Sequence, residues 1–245
     1  MPDASPVALV TGSAHRIGAA IARHLHAHGY RLVLHAHRSG QALQQLADAL
    51  NAHRADSAAT LLADLREPQA PAGLVAGAAA RFGRLDALVN NASNFFPTPV
   101  GQATADQWDA LFAVNARAPF LLMQAAAPYL RQHDGAIVNI TDVHASHPMR
   151  EHPAYCAAKA ALASLTTSMA LELAPRVRVN AVAPGAILWP EHGKSEAAKQ
   201  AALDRTPLRR TGRPEEVAEA VRWLLSAAGY VTGQTLALDG GRSLD

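Results

Sequence analysis

Short runs rich in valine, leucine and alanine recur along the 245 residues of this chain, separated by longer stretches of helical spacing. No other feature constrains the fold as much. A strand joined through a helix to a parallel neighbour needs a right-handed crossover, so a chain built of such units closes into a parallel sheet with helices on both faces. The strands read from this pattern are Val7–Thr11, Arg31–His35, Ala58–Leu62, Ala87–Asn90, Ala136–Thr141, Val177–Ala183 and Thr235–Leu238. Helical patterns cover Ile17–His28, Gln41–Ala52, a segment ending at Arg81, Asp106–Arg131, His152–Leu173 and Pro214–Ser226. The expected fold class is α/β: a Rossmann-like, doubly wound parallel sheet of about seven strands. No repeat, linker or compositional break divides the chain, so residues 1–245 are read as one domain. Aromatic residues are only 5% of a chain that is 49% apolar, so the core must be mostly small aliphatic side chains, which suit helices packed closely on a parallel sheet.

Several functional classes drop out early. The formal net charge is +2 and no lysine or arginine stripe forms, so no nucleic-acid partner is expected. A single cysteine, Cys156, makes no internal disulfide, fits a reducing compartment and reads as a packed, inert thiol. Residues Met1 to Pro6 lack a signal-type segment, and no uninterrupted apolar run reaches the roughly 18–20 residues that span a bilayer. The expectation is a cytoplasmic protein with no membrane partner. Twelve histidines raise the question of a metal, and His24 and His28 share a helix face. With no acidic or cysteine partner at a supporting spacing, the sequence predicts none. His144, His147 and His152 read as a polar loop at the mouth of a site.

The first strand runs into Thr11-Gly12-Ser13-Ala14-His15-Arg16-Ile17-Gly18, and a helix follows. Glycines there permit close backbone approach, and the helix N-terminus offers free N–H groups to a pyrophosphate. A tight turn without a ligand is the alternative. An NAD site carries an acidic residue at the end of the second strand to accept from the ribose 2′-hydroxyl. Here the end of that strand carries His35-Ala36-His37-Arg38-Ser39, a basic and hydroxylic set suited to a 2′-phosphate, so the predicted cofactor is NADPH/NADP. Asp64 and Leu65, after the third strand, are placed to meet the adenine, although Asp64 serves equally well as a helix cap.

Tyr155 and Lys159 stand four apart on one helix face. An ammonium beside a phenol favours the phenolate. A lowering of the pKa by about three units corresponds to roughly 4 kcal/mol and would make a proton donor effective near neutrality. Together with the Thr11–Gly18 turn, Asn90-Asn91-Ala92, Asn115, Pro184-Gly185 and Thr232-Gly233-Gln234…Asp239-Gly240-Gly241, the pair is highly specific in order and spacing. The chain resembles the short-chain dehydrogenase/reductases over essentially its whole length. The resemblance implies Tyr155 as proton donor, Lys159 as ligand of the nicotinamide ribose, Asn115 as support for a relay water, and cofactor contacts from Asn91, Ala92, Pro184 and Gly185. It also implies a homotetramer, with the Asp106–Arg131 and His152–Leu173 helices at one interface.

Three departures narrow the resemblance. Arg16 stands where the family usually has glycine, Asp142 where it has a serine thirteen residues before the tyrosine, and Ser93-Asn94-Phe95-Phe96-Pro97 where Asn-Asn-Ala continues with glycine. Together with His37-Arg38-Ser39 they are similar to the pteridine reductase branch. That likeness implies that Phe95 stacks on a pterin, that Ser93 and Arg16 contact pterin and cofactor, and that a pterin or folate is the small-molecule substrate. A ring nitrogen must be protonated when a pterin C=N bond is reduced, which gives the Asp142 carboxyl a use a ketone would not need. Such a role calls for a raised Asp142 pKa. The long loop region 185–210 contains Trp189 and Pro190 and a helical Ser195–Leu203, and reads as a lid, with Trp189 bordering the substrate or anchoring the loop. Two rival readings remain: a carbonyl reductase acting on 3-oxoacyl thioesters, and a catalytically silent NADP-binding sensor or scaffold.

Overall fold

Side chains of a strand alternate between the two faces of its sheet, and the first strand shows how that builds this molecule. In β1 (Val7–Val10), Val7 and Leu9 enter one apolar layer while Ala8 and Val10 enter the other, all of them fully buried. A computed structural model describes residues 5–189 and 195–244; residues 1–4, Pro190 of the expected lid loop, and 191–194 and 245 lie outside the described residues. The remaining strands are β2 (Arg31–Ala36), β3 (Ala58–Leu62), β4 (Ala87–Asn90), β5 (Ala136–Ile140), β6 (Arg178–Pro184) and β7 (Thr235–Leu238). They pair in parallel in the order β3-β2-β1-β4-β5-β6-β7.

On one face α1 (Arg16–Ala27), α2 (Gly40–His53) and α8 (Pro214–Ser226) supply Ile21, Leu25, Leu43, Val217, Val221 and Leu224 to the layer of Ala8 and Val10. On the other, α3 (Ala70–Phe82), α5 (Ala118–Leu130) and α6 (Pro153–Leu173) supply Leu74, Leu122, Met123, Met169 and Leu173. The doubly wound, seven-stranded parallel sheet read from the sequence is the fold. Strand order reverses between β1 and β4, so the crevice beyond their carboxyl ends is where a doubly wound sheet takes its ligand.

One helix differs from its reading. The stretch expected as continuous helix over Asp106–Arg131 is α4 (Ala105–Phe112), a π-turn over Ala113–Arg117, and α5. A π-turn inserts one residue into the helical ladder, and such turns concentrate at functional sites; this one carries Asn115. By length and composition Ala105–Leu130 could cross a membrane, but most of its apolar window is buried inside the protein. Expected helix Ser195–Leu203 is α7 (Glu196–Asp204).

Candidate active site

The turn after β1 and the loop after β4 are knit together by side chains. Thr11 Oγ1 accepts from the backbone N–H groups of Asn91 (3.0 Å) and Ala92 (3.1 Å), while Asn91 Nδ2 donates to the carbonyl oxygens of Thr11 and Gly12, both at 2.9 Å. Gly18 is forced by this closeness: a Cβ on it would stand 2.2 Å from Gly12 O and 2.6 Å from Asn91 Nδ2. Gly12, at φ +62°, would press a Cβ against Ala92 Cα at 2.8 Å.

Gly12, Arg16, Ile17 and Gly18, then His37, Arg38 and Ser39, then Asp64 and Leu65, and finally Asn91, Ala92 and Ser93 all line one cleft of about 680 Å³. Two helices open onto it without a cap. His15 at the start of α1 and Ser39 at the start of α2 make no side-chain capping bond, and neither first turn holds an acidic residue. By contrast, α4 has a Thr104–Gln107 capping box and α8 has Glu215 and Glu216 in its first turn. Uncapped N-termini leave N–H donors and a positive dipole end for anions. Arg38 has no hydrogen-bond or ion-pair partner among the described residues, so its charge is available beside the α2 N-terminus. The cradle fits a dinucleotide.

Asp64 is less available than expected. Arg66 binds it through Nε (3.0 Å) and Nη2 (2.5 Å), and His37 Nε2 lies 3.4 Å away. The Arg66 guanidinium beside it holds the carboxyl down at about 2. Arg66 also lines the cleft, a neighbour the sequence reading passed over. His35, read from the sequence as part of the 2′-phosphate stretch, is instead buried under the turn. The Gly12 N–H donates to His35 Nδ1 at 3.3 Å, so Nε2 carries the proton and donates to Ala63 O at 3.1 Å. Burial pulls the His35 imidazole below its ordinary 6.5. Pro184, which ends β6, and Gly185 after it do not line this cleft; a Gly185 Cβ would stand 2.7 Å from Asp239 Cβ, so the glycine lets the C-terminal Asp239-Gly240-Gly241 turn close on the strand.

Arg16 adopts φ +51°, the left-handed region that costs an L residue about 1–2 kcal/mol, and its Nη2 reaches across to donate to Leu188 O at 3.3 Å. That bond brings the Leu188–Trp189 segment to the turn, with Trp189 half-buried. Arg16→Gly should therefore raise stability by about 1 kcal/mol in denaturant titration while weakening ligand binding in the cleft. A fall in stability would contradict the strain assigned to Arg16.

A second constellation sits beyond β4, β5 and the start of α6. The Tyr155 hydroxyl donates to Asp142 Oδ2 at 2.7 Å, and Asp142 Oδ1 accepts from the His144 backbone N–H at 2.8 Å. Lys159 is buried, and its Nζ donates to Ile140 O at 2.8 Å, 5.9 Å from the centre of the Tyr155 ring. Burial and the Asp142 carboxylate push the Tyr155 phenol up, the reverse of the lowering read from the Tyr–Lys spacing. The same burial pulls the Lys159 ammonium down to about 8, opposed in part by Asp142.

Between about 8 and the ordinary 10.5 the unfolded chain then binds more protons than the folded one, so this lysine makes stability rise with pH across that window. Denaturant midpoints at its two ends should show the rise in the wild type and lose it in Lys159→Met; an equal rise in both would contradict it.

Asn115 spends both ends of its amide on the neighbouring loop. Its Oδ1 accepts from Ser93 Oγ at 2.7 Å, and its Nδ2 donates to Asn94 O at 2.9 Å. Phe95 follows, 56% exposed, with its ring edge-on to Tyr155 at 4.8 Å and stacked on His152 at 4.6 Å and 12°. His152, expected only as part of a polar loop, is thus an aromatic neighbour of the site. Thr98 ties this segment to α6, its N–H donating to Glu151 O and its Oγ1 accepting from the Ala154 N–H. Cys156 is buried and packs with Leu111, Ala154 and Tyr155.

Comparison with known proteins agrees with this geometry. Residues 12–243 match the family model described as enoyl-(acyl carrier protein) reductase. The chain is 38% identical to pteridine reductase 1 of Leishmania tarentolae, covering 98% of this chain and 97% of that protein. It is 39% identical to a protein named as ketoacyl reductase 2 of the granaticin polyketide synthase of Streptomyces violaceoruber, over 99% and 98%. With the 3-oxoacyl-[acyl-carrier-protein] reductase of Thermotoga maritima it shares 41% identity over 66% of this chain and 67% of the other.

Proposed function

The chain belongs to the short-chain dehydrogenase/reductase family of NAD(P)-dependent oxidoreductases, and we propose that within it this protein uses NADPH to reduce a pterin ring. One observation carries the reading: a tyrosine hydroxyl bonded to a carboxylate, Tyr155 to Asp142, beside the exposed flat ring of Phe95. A ketone reductase needs a hydroxyl to steady a carbonyl. A carboxylate in that place suits a nitrogen heterocycle, which must be handed protons and can donate hydrogen bonds of its own.

The Gly12–Gly18 turn and the α1 N-terminus would hold the pyrophosphate, His37, Arg38 and Ser39 the 2′-phosphate, and Asp64 and Leu65 the adenine end. Asn91, Ala92, Ser93, Pro184 and Gly185 would border the nicotinamide half. Bound there, the cofactor would supply the hydride for a ring carbon. Tyr155 gives its proton to the adjoining ring nitrogen, so that C=N becomes CH–NH. Its high proton affinity means that the phenolate cannot persist beside Asp142, which passes a proton drawn from solvent back to the tyrosine. The buried Lys159 ammonium holds the ribose and offsets the transient negative charge. Asn115 is a positioning residue: it fixes the Ser93-Asn94 backbone from which Phe95 projects to stack on the substrate. Arg16, Ser93 and Trp189 complete the rim.

The ketoacyl reductase relatives favour the carbonyl reductase as the second reading. NADPH consumption should be measured against dihydrobiopterin, dihydromonapterin, dihydrofolate and a 3-oxoacyl thioester. Turnover of a dihydropterin supports the proposal; turnover of the thioester alone overturns it. Arg38→Ala should raise the NADPH KM at least about tenfold, the loss of one charge-assisted contact, with little change for NADH. An unchanged cofactor preference would remove Arg38 from the 2′-phosphate site. Assembly as a homotetramer is part of the same proposal, supported by apolar side chains left exposed on α4 and α6, Trp108 and Leu171, and is tested by light scattering of the purified protein.

A further inference from the structure

The C-terminal end of α1 carries a cluster that the cleft chemistry does not use. His24 and His28, one helical turn apart, have ring centroids 4.4 Å from each other. Helix α8 lays Glu219 against them, with His24 Nε2 2.7 Å from Glu219 Oε2. One potential ligand atom from each of the three lies within 4.8 Å of the other two. The sequence reading set a metal aside for want of an acidic partner. That partner exists, 195 residues away along the chain, where no spacing rule could find it.

We propose that His24, His28 and Glu219 bind a first-row divalent cation of the zinc type and thereby staple α1 to α8. His28 Nδ1 lies 2.8 Å from His24 O; a carbonyl only accepts, so Nδ1 carries the proton and Nε2 keeps its lone pair for a metal. A backbone carbonyl taking the far N–H is the usual way a ligating imidazole is oriented. In His24 the cation takes the place of the proton now shared between Nε2 and Glu219. Two imidazoles and a carboxylate form a three-ligand zinc set with positions left for water, and imidazole nitrogens select the later first-row metals over magnesium or calcium. The helix dipole acts in the same direction, because His24 lies in the last turn of α1 and His28 is its C-terminal cap, where positive charge is favoured. His26 takes no part; it is buried, with Nε2 2.7 Å from Ser57 Oγ.

One group opposes the metal. Arg222 holds Glu219 through Nε (3.0 Å) and Nη2 (2.5 Å), so a second cation must share or displace that contact. This competition makes the site's behaviour specific. Removing Arg222 should strengthen metal binding, whereas removing a ligand should weaken it. His24 and His28 stand about 12–18 Å along the helix from Arg16 in the glycine turn, at about 1.5 Å per residue. The metal therefore acts on stability, not on turnover.

The test uses the full chain stripped with a chelator, titrated with zinc by calorimetry and with cobalt by its visible absorption, with thermal denaturation alongside. The expected result is one zinc per chain and a melting temperature raised by about 5 °C at saturation. Binding should be at least about tenfold weaker in His28→Ala and in Glu219→Gln, and tighter in Arg222→Gln, with turnover unaltered by the metal. Absence of stoichiometric binding overturns the proposal, as does binding that neither His28→Ala nor Glu219→Gln weakens, since the metal would then sit on other histidines.

Discussion

Tyr155→Phe should lower kcat by about 10²–10⁴-fold, the usual contribution of a positioned general acid, while leaving NADPH affinity within a few-fold of the wild type. The change removes one atom from a buried side chain and keeps the ring that packs against Phe95, Leu111 and Cys156. The loss is therefore chemical, not structural. It should appear in single-turnover hydride transfer as well as in steady-state rates, because no other hydroxyl is bonded to Asp142 in the structure described. A kcat within about tenfold of the wild type would mean that another group delivers the proton, with Asp142 the first candidate.

The second large effect concerns the cradle. Gly18→Ala would drive a methyl group to 2.2 Å from Gly12 O and 2.9 Å from Ser13 Cα, both backbone atoms, and 2.6 Å from the Asn91 amide that fastens the turn to β4. Neither side can yield without moving the α1 N-terminus away from the pyrophosphate. Losing two charge-assisted contacts of about 1.5 kcal/mol each predicts NADPH binding at least about 100-fold weaker by calorimetry or fluorescence. Gly73→Ala is the matched control: in α3 nothing lies within 4 Å of the added methyl, and helix propensity should stabilise the protein slightly. Near-normal NADPH binding by Gly18→Ala would show that the turn is not the pyrophosphate cradle.

Most of the architecture is legible in the sequence because it is local. Ala58–Leu62, Ala87–Asn90, Thr235–Leu238 and Pro214–Ser226 have the bounds their apolar patterns and flanking residues predict. The cleft is legible for the same reason, since its residues follow strands β1 to β4 at their carboxyl ends. What escaped the reading depends on contacts between distant segments or on small changes of helical phase. The π-turn around Asn115 leaves the apolar pattern of its helix intact, so periodicity cannot reveal it. Burial, not the spacing of Tyr155 and Lys159, decides where both groups titrate. His35 looked like part of the phosphate-binding stretch because strand alternation shows which face a residue takes, not that it lies under Gly12. Glu219 reaches His24 only because α8 packs on α1.

The most direct test of the account is to compare wild type and Asp142→Ser for NADPH-dependent turnover of a dihydropterin and of a 3-oxoacyl thioester under identical conditions. If the Tyr155–Asp142 pair serves a pterin, the wild type reduces the dihydropterin, and the variant loses at least about tenfold in kcat/KM on it, the loss of a charged hydrogen-bonding partner. If the wild type prefers the thioester, or if serine at position 142 leaves pterin reduction unchanged, the carboxylate has no part in the chemistry and the pterin assignment fails.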